Sequence, residues 1–370
     1  MKIAINTAEL KMALAKVKGT LGSGANGENT KGITIQGKNG VLTLTATNGM
    51  ATVRTAITAQ TDDGLITVDG KNFIAFANRL PEGEVTMESD DKSLKAKAKG
   101  LRLKLPITAD AVASEKAAKV KEEGFAITAD EFVSAVSSVL PCAARGSTRP
   151  VLNGIALRKN DAEGAVAVAC DGFKLAKRPM TITANGDNSL AVILPVESVN
   201  AILAVINAEK GADTVWINQT GIKEVQLSVG DTTIFSSLIH GEYIDYRRLI
   251  PENKKLIDLE TAELIDAMET IAIAVSSSKE SLPVKIQVVE GVVSVSAVSQ
   301  SADCSITVDS AMTDGFEDEF IAGFNPAYLL SVLKTFDDET IRLALNTSLT
   351  AMTITGKKLT AMILPVRLKD

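Results

Sequence analysis

Residues 3 to 10 read Ile3-Ala4-Ile5-Asn6-Thr7-Ala8-Glu9-Leu10, a short apolar strand that runs directly into a helix start. Asn6 and Glu9 have the spacing of a helix N-cap and the acidic residue three positions later. The plan returns twice, at Phe125-Ala126-Ile127-Thr128-Ala129-Asp130-Glu131-Phe132 and at Leu256-Ile257-Asp258-Leu259-Glu260-Thr261-Ala262-Glu263-Leu264, although Glu260 is a poor cap. A repeat of this length predicts three copies of one domain.

Each copy also predicts a second helix, over 70–80, 195–206 and 325–336, followed by strands of alternating apolar residues. Many α+β domains begin with a strand and a capped helix, so the first pattern alone is weak, but two patterns in phase are stronger. Charged or Pro-bearing joints at 117–124 and 250–255 separate the copies. We therefore expect an α+β fold of three similar domains, with boundaries at 1–122, 123–252 and 253–370.

Composition narrows the function classes. The 370 residues carry a formal net charge of −6 and 4% aromatic residues, which argues against a protein that coats DNA electrostatically and against a base-stacking single-strand binder. Cys142, Cys170 and Cys304 are far apart and have no CxxC neighbour, which argues against disulfides and zinc. Because no signal peptide or membrane-length apolar run is evident, we expect a cytoplasmic protein that does not bind membranes.

The sequence offers little equipment for an enzyme. His240 is the only histidine, and a loop position beside Gly241 is its simpler interpretation. Gly22-Ser23-Gly24 lacks the context of a phosphate-binding or dinucleotide-binding loop. The carboxylate pairs Asp62-Asp63 and Asp337-Asp338 are typical of turns. We expect no catalytic residues, no metal and no cofactor.

Several segments of the second and third copies resemble the bacterial DNA polymerase III beta subunit family, the sliding clamps. Their order and spacing, and a total length that fits the family from end to end, make the resemblance fairly specific. The family's usual Thr-Asp-Gly-His-Arg-Leu is here Cys-Asp-Gly-Phe-Lys-Leu, and the first domain matches mainly in length and layout, so the chain resembles a divergent member. The matching segments are Arg149-Pro150-Val151-Leu152-Asn153-Gly154-Ile155, Cys170-Asp171-Gly172-Phe173-Lys174-Leu175-Ala176, Gly241-Glu242-Tyr243-Ile244-Asp245-Tyr246-Arg247-Arg248-Leu249-Ile250-Pro251, Asn325-Pro326-Ala327-Tyr328-Leu329-Leu330 and Leu364-Pro365-Val366-Arg367-Leu368.

The resemblance implies a clamp fold in which two subunits join head to tail into a ring. Each domain would present two helices to a central hole, where double-stranded DNA passes without base readout. The implied partners are DNA, a replicative DNA polymerase, a clamp loader and a second copy of the chain. An alternative is a clamp-fold interaction module that binds replication proteins without encircling DNA.

Family clamps hold short extended peptides in an apolar cleft between the second and third domains. Leu175 and Leu368 are the preferred anchors here, although residues 364–368 are equally typical of a last strand that packs on its own domain. Carried over by the resemblance, the cleft comprises Leu152, Cys170, Gly172, Phe173, Lys174, Leu175, Ile244, Arg248, Leu249, Leu364, Pro365, Val366, Arg367 and Leu368.

Candidate DNA-facing cations and subunit contacts are less specific. Any of these cations is equally an ordinary solvated residue, and Glu263, Asp266 and Glu269 predict a central hole less basic than is usual. The apolar contacts are equally internal core. The cations are Lys11, Lys18, Lys71, Arg79, Arg145, Arg149 and Lys334; the subunit contacts are Leu101, Leu103 and Leu105 against Ile271, Ile273 and Val275.

Overall fold

The structure is a computed structural model that describes residues 1–22, 28–108, 124–160, 164–184, 189–209, 211–219, 221–276, 282–298 and 303–368. The predicted joint at 117–124 and the loop at 22–27 fall almost entirely outside these residues. Two compact units are present. Unit 1 comprises Met1–Val133 with Thr181–His240, and unit 2 comprises Ser134–Met180 with Gly241–Asp370.

The described helices and strands fall into three successive groups. The first is β1 Lys2–Asn6, α1 Thr7–Lys18, β2 Gly32–Lys38, β3 Val41–Thr47, β4 Ala51–Thr58, β5 Gln60–Thr61, β6 Gly64–Asp69, α2 Gly70–Arg79, β7 Glu84–Ser89, β8 Ser93–Ala98 and β9 Leu101–Pro106. The second is β10 Phe125–Thr128, α3 Ala129–Val139, β11 Gly154–Asn160, β12 Gly164–Cys170, β13 Lys174–Met180, β14 Thr183–Ala184, β15 Leu190–Pro195, α4 Val196–Ala208, β16 Thr214–Gln219, β17 Glu224–Val229 and β18 Thr232–Ser237. The third is β19 Lys255–Glu260, α5 Thr261–Ser276, β20 Val284–Val289, β21 Val292–Val298, β22 Asp303–Val308, β23 Ser310–Asp314, β24 Phe320–Phe324, α6 Pro326–Leu333, β25 Thr340–Leu345, β26 Met352–Thr355 and β27 Thr360–Ile363.

The three groups follow one plan, which confirms the predicted α+β fold of three similar copies. In each group a strand and a helix precede five strands, a second helix and three strands. The predicted second helices are also confirmed, with small shifts at their ends. The last of them, α6, stops at Leu333 because Thr335 and Phe336 donate to carbonyls three residues back, which tightens the chain out of the α-helix.

Polar caps start the helices where the sequence predicts them. The side chain of Asn6 accepts from the N–H of Ala8 at 2.8 Å, and Asn325 does the same for Ala327 at 3.0 Å. Thr128 accepts from the N–H of Glu131 at 3.3 Å. Each bond satisfies a donor that the first helical turn would otherwise leave without a partner.

The first helix of each copy is fixed by one repeated backbone bond. The N–H groups of Thr7, Ala129 and Thr261 each donate to a carbonyl at 2.8 Å. The acceptors are Gly83, Asp213 and Glu339, each of which lies immediately before the strand that follows the second helix. Thr261 adds a side-chain bond to the carbonyl of Asp338 at 2.5 Å, which supports the helix start where Glu260 is a poor cap.

Two sheets form unit 1. One has the strand order β5-β1-β7-β8-β9, and the other has the order β14-β10-β16-β17-β18-β4-β3-β2-β6. In the second sheet, β18 and β4 pair antiparallel from Thr232 opposite Thr55 to Ser236 opposite Ala51. The ninth strand of the second copy thus joins the fourth strand of the first.

Unit 2 repeats that junction. Here β13 and β27 pair antiparallel from Lys174 opposite Ile363 to Lys177 opposite Thr360, within the strand order β11-β12-β13-β27-β26-β25-β19-β23. The ninth strand of the third copy joins the fourth strand of the second. The remaining sheet of unit 2 has the order β22-β21-β20-β24.

A buried ion pair crosses from the first copy to the second inside unit 1. Lys16 on α1 lies 2.8 Å from Glu209, just after α4, and both side chains are about nine-tenths buried. Glu209 also accepts from the hydroxyl of Thr232 at 3.0 Å. The sequence did not identify this pair, because Lys16 reads as an ordinary helix-surface lysine.

Among the described residues, no helix is long and apolar enough to cross a membrane, and no group of three or more His, Cys, Asp or Glu residues is placed to hold a metal ion.

Candidate functional site

The turn between β12 and β13 forms the centre of the candidate site, in unit 2. The carboxylate of Asp171 accepts from the N–H groups of Phe173 and Lys174, both at 2.8 Å. Gly172 takes a positive φ of 95°, which favours glycine. These constraints hold Phe173 at the tip of the turn with 56% of its surface exposed.

Residues 364–368, here called the C-terminal segment, run past this tip. The N–H of Leu364 donates to the carbonyl of Phe173, and that of Val366 donates to the carbonyl of Gly323 on β24, both at 2.8 Å. A side chain on Gly323 would lie 2.6 Å from Leu368, so the glycine makes room for that leucine. The segment is therefore an extended strip fixed to two elements.

Tyr328 on α6 completes an aromatic surface with Phe173. Their ring centroids lie 5.9 Å apart, and the ammonium of Lys174 lies 5.0 Å from the centroid of Tyr328. Lys174 also pairs with Asp171 at 2.5 Å, with both side chains largely buried. The exposed apolar groups beside this cluster are Phe173 and Leu364, which is 39% exposed.

Part of the predicted cleft lies beneath the surface in the structure. Leu175, a preferred anchor, has no exposed surface, because it lies in β13 between Cys170 on β12 and Met362 on β27. Leu152 and Cys170 are 6% and 4% exposed. These three residues lie beneath the surface, and Leu152 and Cys170 keep a small exposed area.

The loop 241–249 approaches the turn before β11. Gly241 leaves room for Val151, whose Cγ1 would lie 2.9 Å from an added side chain. Ile244 is half-buried, and Leu249 is 46% exposed. Arg248 is largely exposed and pairs with Asp245 at 3.1 Å. In the C-terminal segment, Pro365, Val366 and Leu368 are half-buried and Arg367 is exposed.

The thiols near this site are buried. Burial raises the pKa of Cys142 to about 12 and also raises the pKa of Cys170. Both therefore stay protonated at neutral pH, and a thiol is a far weaker nucleophile than a thiolate. Burial raises the pKa of Tyr243 as well. Burial therefore favours the neutral form of all three groups.

The DNA-facing candidates divide into two sets. Lys18, Lys71, Arg79, Arg145 and Arg149 are exposed. Lys11 is instead half-buried, and its ammonium donates to the carbonyl of Leu80 at the end of α2 at 2.8 Å. Lys334 is exposed but pairs with Glu269 at 2.6 Å. The charges of Lys11 and Lys334 are therefore engaged within the chain.

The subunit-contact candidates also divide. Leu105 is 6% exposed and Ile271 is fully buried, so both are core residues. Leu101 and Leu103 are half-buried on β9, which ends its sheet. Ile273 is 74% exposed on α5. The side chain of Val275 lies outside the described part of the chain.

The repeat gives a physical meaning to the exposure of Ile273. When Glu9 is matched with Glu263, Ile273 corresponds to Gly19 at the end of α1. An added side chain on Gly19 would lie 2.5 Å from the Cβ of Ala204 on α4. Gly19 is exposed, yet α4 approaches it on one side and leaves no room there for a side chain, whereas the matching position on α5 carries an exposed isoleucine.

Sequence reasoning did not assign functional roles to Asp171, Gly323 and Tyr328. The Asp171-Gly172 pair is a turn signal that would have placed Phe173 at a tip. For Gly323, only the close approach of Leu368 reveals the role, and no local pattern carries it.

Sequence models of three domains of the DNA polymerase III beta subunit match this chain. The N-terminal domain matches residues 1–110, the central domain 126–245 and the C-terminal domain 247–367. The beta sliding clamp of Escherichia coli (strain K12) is 26% identical over 375 residues and covers 100% of both chains. The beta sliding clamp of Rickettsia bellii (strain RML369-C) is also 26% identical, over 93% of this chain and 92% of its own.

Solved structures share the fold. The DNA polymerase sliding clamp of Bacillus subtilis superposes with a TM-score of 0.89 at 20% identity and covers both chains completely. The beta subunit from the DNA polymerase of Streptococcus pyogenes gives a TM-score of 0.88 at 20% identity, again over both full chains. With its three-copy plan matched end to end, this chain belongs to the DNA polymerase III beta subunit family and has the three-domain clamp fold.

Proposed function

We propose that this protein is a DNA sliding clamp, a processivity factor without enzymatic activity. Two copies join head to tail into a ring around duplex DNA. A site on each copy tethers the replicative DNA polymerase and other replication and repair proteins, and a clamp loader opens the ring. The observation that carries the proposal is a repeated junction between a ninth strand and a fourth strand. Among the described strands of the single chain, one ninth strand and one fourth strand lie at sheet edges without such a partner strand.

Both internal junctions pair a ninth strand with a fourth strand, as β18 pairs with β4 and β27 with β13. Two equivalent strands end their sheets, the ninth strand β9 of the first copy and the fourth strand β22 of the third. Exposed edges invite pairing with another chain. If β9 of one subunit pairs with β22 of another, every copy makes the same junction.

The side chains at these edges suit each other. On β9, Leu101 and Leu103 are half-buried, and Cys304 and Ile306 are half-buried on β22. Arg102 is exposed on the first edge, and Asp303 is exposed on the second. Apolar contact with charges of opposite sign is the usual composition of a subunit interface. Ile273 lies beside this edge, since α5 packs on β22.

A closed ring holds DNA by topology and needs only weak phosphate contacts. The five exposed cations Lys18, Lys71, Arg79, Arg145 and Arg149 can supply them. Ser147 and Asn153 exchange two hydrogen bonds, at 2.8 and 3.0 Å, that brace the turn carrying the last two of these cations. Phosphate contacts of this kind carry no sequence information, so the clamp slides.

The partner site is the surface formed by Phe173, Tyr328 and the C-terminal segment. Its exposed apolar groups supply affinity, and the extended backbone of residues 364–368 fixes the direction of a bound peptide. Arg248 and Arg367 add exposed positive charge. We therefore propose a short extended peptide with apolar anchors as the ligand.

Retention on DNA tests the ring. We expect a dimer mass in solution, and we expect protein loaded on nicked circular DNA to stay bound while protein on linear DNA of the same length is lost from the ends. A monomer with equal retention on both templates would contradict the ring and favour the interaction module that does not encircle DNA.

Peptide titration tests the partner site. A fluorescent Gln-Leu-x-Leu-Phe peptide should bind saturably, and Phe173→Asp should weaken binding at least tenfold. Val292→Asp is a matched control, because Val292 is 54% exposed in the same unit, against 56% for Phe173. An equal loss in both variants, or none in either, would remove this surface from the proposal.

A further inference from the structure

A second recess in unit 2 has a different chemistry from the partner site. It lies where β13, the chain after α6 and the β26–β27 turn meet, and its volume is about 220 Å³. Since a water molecule takes about 30 Å³, the recess has room for a polyatomic ion. Its lining is Arg178, Thr335, Phe336, Asp337, Asp338, Lys357, Lys358 and Leu359.

Arg178 is the unusual residue of this recess. Only 9% of its surface is exposed, and its Nε is buried without a hydrogen-bond partner among the described residues. A buried charged donor without a partner is costly, and natural proteins almost always satisfy such groups. Because Arg178 lines the recess and the described residues do not fully satisfy its guanidinium, an anion in the recess would meet a positive charge that the fold leaves only partly compensated.

The remaining charges leave the recess receptive to an anion. Lys357 and Lys358 are exposed in the β26–β27 turn, so they bring positive charge to its rim. The carboxylate of Asp338 accepts from the N–H of Lys357 at 2.9 Å and lies against Gly356, so it is held by that turn. Asp337 is exposed. The lining therefore carries three cations against two carboxylates.

We propose that this recess binds a phosphate group. Arginine suits phosphate because its planar donors match two phosphate oxygens at once, and lysines at a rim add charge without fixed geometry. The group is either free phosphate or the terminal phosphate of a nucleic acid strand, since both present the same compact oxyanion. The site is separate from the exposed cations proposed to contact duplex DNA.

Calorimetric titration of the full-length protein at low ionic strength tests the proposal. The ligands are inorganic phosphate, a thymidine dinucleotide with a 5′-phosphate and the same dinucleotide without it. We expect saturable binding of phosphate, with at least a tenfold loss of affinity in Arg178→Met. Tighter binding of the phosphorylated dinucleotide than of free phosphate would identify a strand end as the source.

Two further variants keep the test independent of folding. The exposed pair Lys357→Met and Lys358→Met should weaken phosphate binding several-fold, and Lys223→Met, an exposed lysine of unit 1, should leave it unchanged. An equal loss in all variants would mean bulk electrostatics and would overturn the site. Binding of acetate or an acidic peptide in preference to phosphate would overturn the ligand class, and absence of phosphate binding would overturn the proposal.

Discussion

Gly19, just after α1, and Ile273, in the last turn of α5, occupy matching positions in two copies of one domain, but their surroundings differ. At the end of α1 the residue is Gly19, which the Cβ of Ala204 on α4 approaches so closely that no side chain fits. In the last turn of α5 the matching residue is Ile273, with 74% of its surface exposed. Position 19 lacks a side chain where α4 approaches, whereas position 273 carries a large apolar side chain that is mostly exposed.

The largest expected effect on stability comes from breaking the ion pair between Lys16 on α1 and Glu209 just after α4. Lys16→Met leaves the carboxylate of Glu209 buried without its cation, which should lower the free energy of unfolding by about 3 kcal/mol. Thermal or urea unfolding measures this loss. Lys18→Met, two residues away and exposed, is the control and should change stability by less than about 0.5 kcal/mol.

A smaller loss of stability should follow from adding a side chain at position 19. In Gly19→Ala the new methyl group meets the Cβ of Ala204, and since both atoms are attached to helix backbone the two helices must separate. Overpacking of this kind costs about 1–3 kcal/mol. The matched change in the last turn of α5, Ile273→Ala, should leave the free energy of unfolding of the single chain unaltered. Equal losses in the two variants would show that the two helix ends are not different environments.

Placing a charge at position 273 should weaken subunit association without unfolding the chain. Burial of an isoleucine contributes about 2 kcal/mol, so Ile273→Asp should raise the dimer dissociation constant on the order of thirtyfold. Analytical ultracentrifugation measures it. Ile222→Asp is the control, because Ile222 is 83% exposed on a turn of unit 1. A dimer that tolerates the Ile273 change would place the interface elsewhere.

The smallest expected effect on stability concerns an ion pair that the third copy has and the first copy lacks. Asp258 on β19 pairs with Arg342 on β25 at 2.7 Å, where the corresponding residues of the first copy are Ala4 and Thr86. The side-chain hydrogen bond from Arg342 lowers the pKa of Asp258. The pair therefore stabilises the fold above the unfolded pKa of about 4, and its contribution disappears as the pH falls through the lowered folded pKa.

Because both side chains are partly exposed, this contribution should be only about 0.5 kcal/mol. The stability difference between the wild type and Asp258→Asn should be present at pH 7 and shrink at pH values below 4. A difference that stays constant over this range would mean that the carboxylate charge is not what stabilises the pair.

Much of the fold could be predicted from the sequence because the repeat is visible in local sequence patterns, namely helix caps and alternating apolar residues. Asn6, Thr128 and Asn325 are caps whose chemistry depends only on neighbours a few residues away. Alternating apolar residues likewise predict strands wherever one side of a sheet is buried. The boundary between the first two copies remains a prediction, since it falls outside the described residues.

The candidate site was less predictable, because its surface depends on how distant segments meet. Leu175 belongs to a matching motif, yet its depth is set by β12 and β27 on either side, and it is fully buried. Lys11 shares a helix face with Lys18, but only the position of α2 turns it toward a carbonyl. Exposure and charge pairing are tertiary properties, and a motif does not encode them.

The open strands β9 and β22 have a further consequence for a single chain before it is assembled. If β9 of one chain pairs with β22 of another, the contact joins two different strands and is heterologous, and strand pairing by itself does not limit how many chains can join. A closed pair and an unlimited filament use the same contact and differ only in the angle through which each chain turns. Substitutions that alter this angle at a junction would turn overproduced protein toward linear polymers, visible as fibres in the electron microscope.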